Sequence, residues 1–242
     1  MDPPPKSWDE LLPWVKRNKG KFAYCHPMKG GSGHVFLLAL AYWINGYDTY
    51  KFLPFDEKLA EKLHEPLWNY LKELEPYLYP DNPHPPGNKA TLDLLLEGEV
   101  GLVPAWMSHM MRGITVTGRI DPETFGVVSP SPPMPPNFDA VAIPFNAPHK
   151  HAALLFVNFL LSDEIQRRIP LELGLFPAIA EAYPGSIEIK GVKARGNWIP
   201  EILDKKEDYI AWRDPLKEPE LQYRNGAYMF YIMKNWEGKV LG

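Results

Sequence analysis

Twenty-seven prolines are spread through 242 residues, and they set the tightest limit on what this chain can fold into. Proline has a fixed φ and no backbone N–H, so it interrupts helices and interior strands alike. The content is roughly twice the ~5% of an average protein. The prolines punctuate rather than repeat, and no internal repeat accompanies them. They predict rigid loops between many short elements. Ser129 to Pro136 holds five prolines in eight residues and is the best candidate crossing between domains. Tyr79 to Asn88 holds four and reads as a rigid surface loop.

Between the prolines there is enough apolar material for a core. Hydrophobic residues make up 45% and aromatic residues 13%, which excludes a wholly disordered chain. The longest apolar stretch, Val35 to Ile44, is too short to cross a bilayer. A net charge of −4 argues against electrostatic binding of nucleic acid. The single cysteine, Cys25, excludes an intrachain disulfide and a cysteine-rich zinc site. Met1-Asp2-Pro3-Pro4-Pro5 has neither a basic nor an apolar region of the kind that makes a signal peptide. The chain is therefore expected to be a cytosolic protein or a piece of something longer.

The first fifty residues follow α/β grammar. Ser7 and Glu10 form a capping box before a helix bent by Pro13 and closed by Gly20. Lys21 to Cys25 reads as a strand. A glycine loop, Lys29-Gly30-Gly31-Ser32-Gly33, then leads into a buried helix from about His34 to Asn45. Further on, Asp56 to Glu75 is an amphipathic helix divided by Pro66, and Ala90 to Leu96 is helical. Val100 to Val103, Phe125 to Val128 and Asp139 to Pro144 read as strands, the last fully buried. A short helix from Trp106 to Met111 follows the first of these. Asn146 caps an almost wholly apolar helix, Pro148 to Leu161, and Ser162 opens another. Helices are also expected near Ile199 to Lys206 and Leu221 to Trp236.

Chemistry is most visible at the glycine loop. Backbone N–H groups at a helix N-terminus are unsatisfied and electropositive, and glycine lets a ligand approach them. Ser32 adds a hydroxyl and Lys29 a mobile cation. The loop lacks the Gly-Lys-Ser/Thr ending of a phosphate-binding P-loop. Gly30 to His34 also imitates a nucleophile elbow, which needs a placed histidine and acid to act. Trp106 closes the strand Val100 to Val103 and is expected on the same cleft wall as the loop. Neither segment contains an acidic residue, so an anionic ligand is expected over a polyamine. Asn137, just past the proline crossing, is the candidate contact from a second lobe. His149-Lys150-His151 has i, i+2 spacing, which on a helix does not converge on a metal. No metal site and no cofactor are expected.

Several segments resemble the bacterial and archaeal substrate-binding proteins of ABC transporters. Pro5-Lys6-Ser7-Trp8-Asp9-Glu10-Leu11-Leu12 followed by Gly20-Lys21-Phe22 is similar to the middle of that family. So is Gly98-Glu99-Val100-Gly101-Leu102 with Pro104-Ala105-Trp106. Most specific is Phe138 to Lys150, containing Ala142-Ile143-Pro144 and Asn146-Ala147-Pro148, continued by Asn158-Phe159-Leu160-Leu161-Ser162-Asp163-Glu164-Ile165-Gln166. Asp163 stands where the family has proline. Gly174 to Ala178 is similar to the family's closing turn. The resemblance implies an α/β fold of the type II periplasmic-binding-protein kind, with two lobes closing on a solute by a hinge motion.

The implied division is a second lobe over 1–135, part of the first lobe over 136–172, and a hinge return with a helical tail over 173–242. The implied function is capture of a small molecule and its delivery to an ABC permease in the membrane, in the periplasm or outside the cell, without catalysis. A serine hydrolase using Ser32 and a non-catalytic interaction domain are the alternatives. The expected ligand contacts are Lys29, Gly31, Ser32, Gly33, Trp106 and Asn137. Because the match begins in the family's middle, the segment from about 137 to 170 is expected to leave an apolar face. Another copy, another chain or a rearranged tail would cover it.

Overall fold

The computed structural model describes residues 1–46, 48–51, 53–121, 124–128, 130, 134–135, 140–179 and 226–242. The chain forms two compact units. The first comprises Met1–Trp106, Val128–Pro135 and Gln222–Gly242; the second comprises Met107–Val127 and Pro136–Leu221.

In the first unit α1 (Trp8–Arg17), α2 (Gly31–Asn45), α3 (Asp48–Lys51), α4 (Glu57–Leu74) and α5 (Asn88–Leu96) follow in order. α2 is the hydrophobic centre. Val35 to Tyr42 are all buried, so this helix has no solvent face. A helix apolar all round is stable only when covered all round. The cover includes α4 and the C-terminal helix Gly226–Trp236. Trp8 of α1 and Phe22 bring their rings to 6.0 and 5.8 Å from Phe36.

Helix boundaries follow local chemistry with three departures from expectation. The Ser7 side chain makes no cap bond; Glu10 instead reaches back one residue further and accepts from the Lys6 N–H at 2.7 Å. α2 begins three residues earlier than expected, at Gly31. Pro66 does not divide α4. It lies on the exposed face, where solvent can satisfy the carbonyl that its missing N–H leaves.

The α/β layering expected from the sequence is present among the described residues as isolated bridges, of which the parallel one joins Phe22 to Leu102. Lys21 to His26 is nonetheless bonded on both sides. Gly101 and Leu102 N–H donate to the Lys21 carbonyl at 2.9 and 3.1 Å. On the other side the proline loop runs alongside. Tyr79 N–H donates to the Phe22 carbonyl, Tyr24 N–H to Pro83 and His26 N–H to Pro85, at 2.8 to 3.2 Å. The prolines accept but cannot donate, so this ladder is one-sided and makes no regular sheet. The loop read as a surface connection thus runs alongside Lys21 to His26 without forming a strand.

Two strand expectations fail. Phe125 to Val128 contains no strand, and Phe125 gives its N–H to the Asp121 carbonyl in a turn. Of Asp139 to Pro144, Asp139 is outside the described residues. The remainder is irregular and, apart from half-buried Ile143, exposed, with the Pro144 carbonyl taken by Ala147 N–H in a turn. An apolar run becomes a buried strand only where neighbours supply bonding edges and cover both faces. The expected helix Ile199 to Lys206 also lies outside the described residues.

The second unit contains α6 (Met107–Thr115), α7 (Lys150–Leu160) and α8 (Asp163–Leu173). α8 packs on both α6 and α7. Gln166 is buried and bonds through both ends of its amide. Its amide donates to the Leu160 carbonyl, and its oxygen accepts from Ala178 and Ile179 N–H. The turn after α8 is thereby pinned to the α7–α8 junction. Gly174 ends α8 at φ 68°, with the Arg112 backbone 2.4 Å from where a Cβ would stand. α9 (Gly226–Trp236) returns to the first unit and ends in a π-helical turn, Glu237–Leu241.

One buried histidine makes the first unit sensitive to acid. His64 is fully buried. Its Nδ1 lies 2.7 Å from the Ala60 carbonyl, which can only accept, so Nδ1 carries the proton. Nε2 then accepts from the Tyr50 hydroxyl at 3.0 Å. Burial lowers the His64 pKa from 6.5 to about 4. The unfolded chain therefore takes up a proton that the folded chain refuses. This contribution is fully present above pH 6.5 and is lost as pH falls from 6.5 to about 4. The shift is worth about 3 kcal/mol. Urea denaturation across that range should show a steeper acid loss for wild type than for His64→Phe. Equal slopes would mean that His64 is not held neutral.

Candidate functional site

The site is built around the first turn of α2. Gly30 is its N-cap and has no side chain to offer. The missing cap comes from elsewhere. Asn88, the first residue of α5, accepts from Ser32 N–H at 2.9 Å and from the Ser32 hydroxyl at 3.0 Å through its Oδ1. A backbone N–H donates, and of the two ends of the Asn amide only the oxygen accepts, so these contacts also fix which way the amide faces. Its nitrogen, with two donor hydrogens, is left to point elsewhere. Asn88 is delivered by Gly87, at φ 113°, a conformation that side-chain-bearing residues rarely adopt.

Three glycines let other groups close in on this turn. A Cβ on Gly33 would stand 2.0 Å from the Cys25 carbonyl oxygen, and one on Gly30 2.3 Å from Cys25 Sγ. A Cβ on Gly31 would stand 2.9 Å from Trp106 Nε1 and 3.0 Å from its ring. Gly31 of the glycine loop and Trp106, seventy-five residues apart in sequence, therefore lie side by side.

The sequence-predicted residues divide by exposure. Lys29 is exposed; Gly31 and Trp106 are partly exposed; Ser32 and Gly33 are buried. Ser32 N–H is bonded to Asn88, and Gly33 N–H to the Gly30 carbonyl at 3.2 Å. The chain itself thus fills part of the expected amide cradle. The Ser32 hydroxyl donates to an amide oxygen, which has no capacity as a general base. Asn137 lies outside the described residues. Asn88 was missed by sequence reasoning; the signal was a Gly-Asn pair opening a helix straight after a proline run.

Beneath the loop lies a buried polar chain. Trp236 Nε1 donates to the Tyr24 hydroxyl at 3.0 Å, and Tyr24 donates to Glu75 at 2.8 Å. His84 Nε2 lies 2.9 Å from the other Glu75 oxygen. Burial, then the neighbouring Glu75 carboxylate, raises the Tyr24 pKa well above 10 and keeps the phenol protonated. Trp236 also meets the His26 ring at 5.0 Å. The His26 carbonyl accepts from both Lys29 and Gly30 N–H, and its Nδ1 from Met28 N–H. Burial, then the charge of Lys29, lowers the His26 pKa, consistent with a neutral ring. The C-terminal helix is thus keyed to the shape of the glycine loop. His109, on α6, and His149 and His151, at the start of α7, belong to the second unit. Among the described residues no three His, Cys, Asp or Glu side chains gather into a metal-binding group.

The first turn of α2 thus carries one short side chain, Ser32, takes its cap from Asn88 of α5, and lies against the Trp106 indole. Comparison with known proteins gives the class directly. Residues 1–196 match the family described as "Bacterial extracellular solute-binding protein", and the chain belongs to that family. It is 30% identical over 173 residues to Protein YnjB of Escherichia coli (strain K12), a match covering 68% of this chain and 42% of that protein. The chain thus spans about two-fifths of the length of that relative. No solved structure matches it. The family is one of solute-binding proteins rather than enzymes, and membership implies the type II periplasmic-binding fold. No described helix is long and apolar enough to cross a membrane.

Proposed function

We propose that this chain captures a small, acceptor-rich anionic solute and presents it to the membrane permease of an ABC import system, on the outer side of the cytoplasmic membrane. The observation that carries the reading is the apposition of Trp106 with Gly31 at the α2 N-terminus. Around that point the groups on offer are donors: the indole Nε1–H, the Asn88 amide N–H groups and the Gly31 N–H. Lys29 stands nearby as a flexible cation. Carboxylate or phosphate oxygens match such a set, and a polycation does not. Lys29, Gly31 and Trp106 are the direct contacts in this reading. Ser32 and Gly33 hold the turn in shape, and Asn137 is the contact from the other lobe.

The test is native mass spectrometry of gently purified protein, with an anionic small molecule expected to co-purify. Trp106→Ala should then weaken its binding by about tenfold or more, equivalent to ~1.4 kcal/mol. Ser32→Ala should change affinity far less, because its hydroxyl is committed to Asn88. Unchanged affinity in Trp106→Ala, or tight binding of a polyamine, would overturn the proposal. Turnover of an ester that disappears in Ser32→Ala would favour a hydrolase instead.

A further inference from the structure

We propose, on the reading of Lys29 as a solute contact, that His26 is a positioning residue of that site: its neutral ring fixes the tip of the glycine loop that carries Lys29, and a proton on the ring releases it. His26 holds the chain around it at three points. Its backbone N–H donates to the Pro85 carbonyl at 3.0 Å and ties it to the proline loop. Its carbonyl accepts from Lys29 N–H at 2.9 Å and from Gly30 N–H at 3.2 Å. Its ring Nδ1 accepts from Met28 N–H at 3.2 Å. The backbone amides of Met28, Lys29 and Gly30 thus all end on one residue. Met28 and Lys29 are themselves exposed, so hydrogen bonds rather than burial set the shape of the tip.

The Nδ1 contact exists in one protonation state only. Met28 N–H can only donate, so Nδ1 must be bare and the ring proton sits on Nε2. An imidazolium carries a hydrogen on both nitrogens and would set donor against donor at Met28. The ring therefore cannot hold both the charge and the tip. Its surroundings come from three segments. Trp236 of α9 covers it at a ring distance of 5.0 Å. Burial and then Lys29, on the same loop, disfavour the charged ring. Glu237, just after α9, favours it, and His84 of the proline loop disfavours it. Glu75 stands beyond His84, 2.9 Å from its Nε2. The net result is a pKa below 6.5. The tip is thus held above pH 6.5 and is released as pH falls below it.

The test follows the 242-residue chain by NMR from pH 8.0 to 5.0, with inorganic sulfate as the probe because its charge is constant over that range. The His26 ring nitrogens should titrate below pH 6.5, and the Met28 amide shift should move with the same midpoint. Sulfate binding should weaken about threefold or more across it. A positive charge added beside the loop would by itself tighten an anion, so weakening reports the turn and not the charge. His26→Phe keeps a ring against Trp236 and loses the acceptor. It should bind sulfate as weakly at pH 8.0 as wild type does at pH 5.0. His26→Asn should recover most of that loss, because an asparagine oxygen can accept from the N–H two residues on. Its affinity should no longer change with pH. Circular dichroism should match at both ends of the range, which separates release of the tip from the acid sensitivity that His64 confers. A Met28 amide indifferent to the His26 titration would overturn the proposal. So would sulfate affinity that rises with acid, or that still falls in His26→Asn, which would point to His84. Sulfate bound by no variant at any pH would count against the anion reading alone, and the Met28 amide would still decide the role of His26.

Discussion

Gly33→Ala is expected to destabilise the first unit by about 3 kcal/mol, the upper end of what overpacking costs. The added Cβ would sit 2.0 Å from the Cys25 carbonyl oxygen and 2.8 Å from its carbonyl carbon. Both are backbone atoms, so no rotamer change relieves the clash. α2 must move away from the Cys25 segment, or that segment must break its bond pattern with the proline loop. Gly31→Ala is the control. The three atoms nearest its Cβ all belong to the Trp106 side chain, which can turn aside at lower cost. Urea denaturation monitored by tryptophan fluorescence should separate the two, with Gly33→Ala losing more stability. Gly31→Ala should instead perturb Trp106 emission. A Gly33→Ala protein as stable as wild type would mean that α2 does not approach the Cys25 backbone this closely.

Trp236→Ala should cost about 3–5 kcal/mol, the range for deleting a buried large aromatic side chain. Trp236 is fully buried and touches two segments at once, Lys21 to His26 and the proline loop. It donates to the Tyr24 hydroxyl. Its ring meets His84 at 4.8 Å and His26 at 5.0 Å. Deleting it leaves a cavity beneath the glycine loop and removes the main anchor of α9. Trp236→Phe keeps the apolar bulk and loses the N–H donor. It should cost about 1 kcal/mol, the net worth of one hydrogen bond. Hydrogen exchange should show α9 opening in Trp236→Ala before the rest of the unit unfolds. Uniform protection in that variant would mean that α9 is anchored elsewhere.

The helices were legible in the sequence because their signals are local. Asp56 caps α4 by accepting from Leu59 N–H at 2.8 Å, and Gly46 and Gly174 end α2 and α8. The apolar run after the glycine loop read as a buried helix, as α2 is; helical spacing linked Trp8, Leu11, Leu12 and Val15 in α1, of which Leu12 is only half-buried, while the buried Trp14 was not marked. The strands were poorly legible because a strand is a relation between segments. Lys21 to Cys25 looks β-like alone, yet its partners are a proline loop and a lone bridge at Leu102. Ala140 to Pro144 looks like a buried strand and is exposed except for half-buried Ile143, because composition cannot say whether a neighbouring edge is present.

The candidate site divides the same way. Sequence alone marked the Lys29–Gly33 loop, since glycines before an apolar helix signal a bare helix N-terminus. It marked Trp106 as the end of a strand-like segment. It also carried the family, through side-chain patterns such as Ala142-Ile143-Pro144 and the run from Asn158 to Gln166. Only tertiary structure decided which loop groups remain open to a ligand. Asn88 occupies the Ser32 N–H from fifty-six residues away. No local pattern reports that a distant side chain has satisfied a helix donor. Burial of Ser32, and the keying of the loop to Trp236, arise likewise from long-range packing. Helix, cap and turn energies depend on residues a few positions apart, so one sequence determines them. Satisfaction of a buried polar group depends on whatever the folded chain brings within about 3 Å, which only the assembled structure decides.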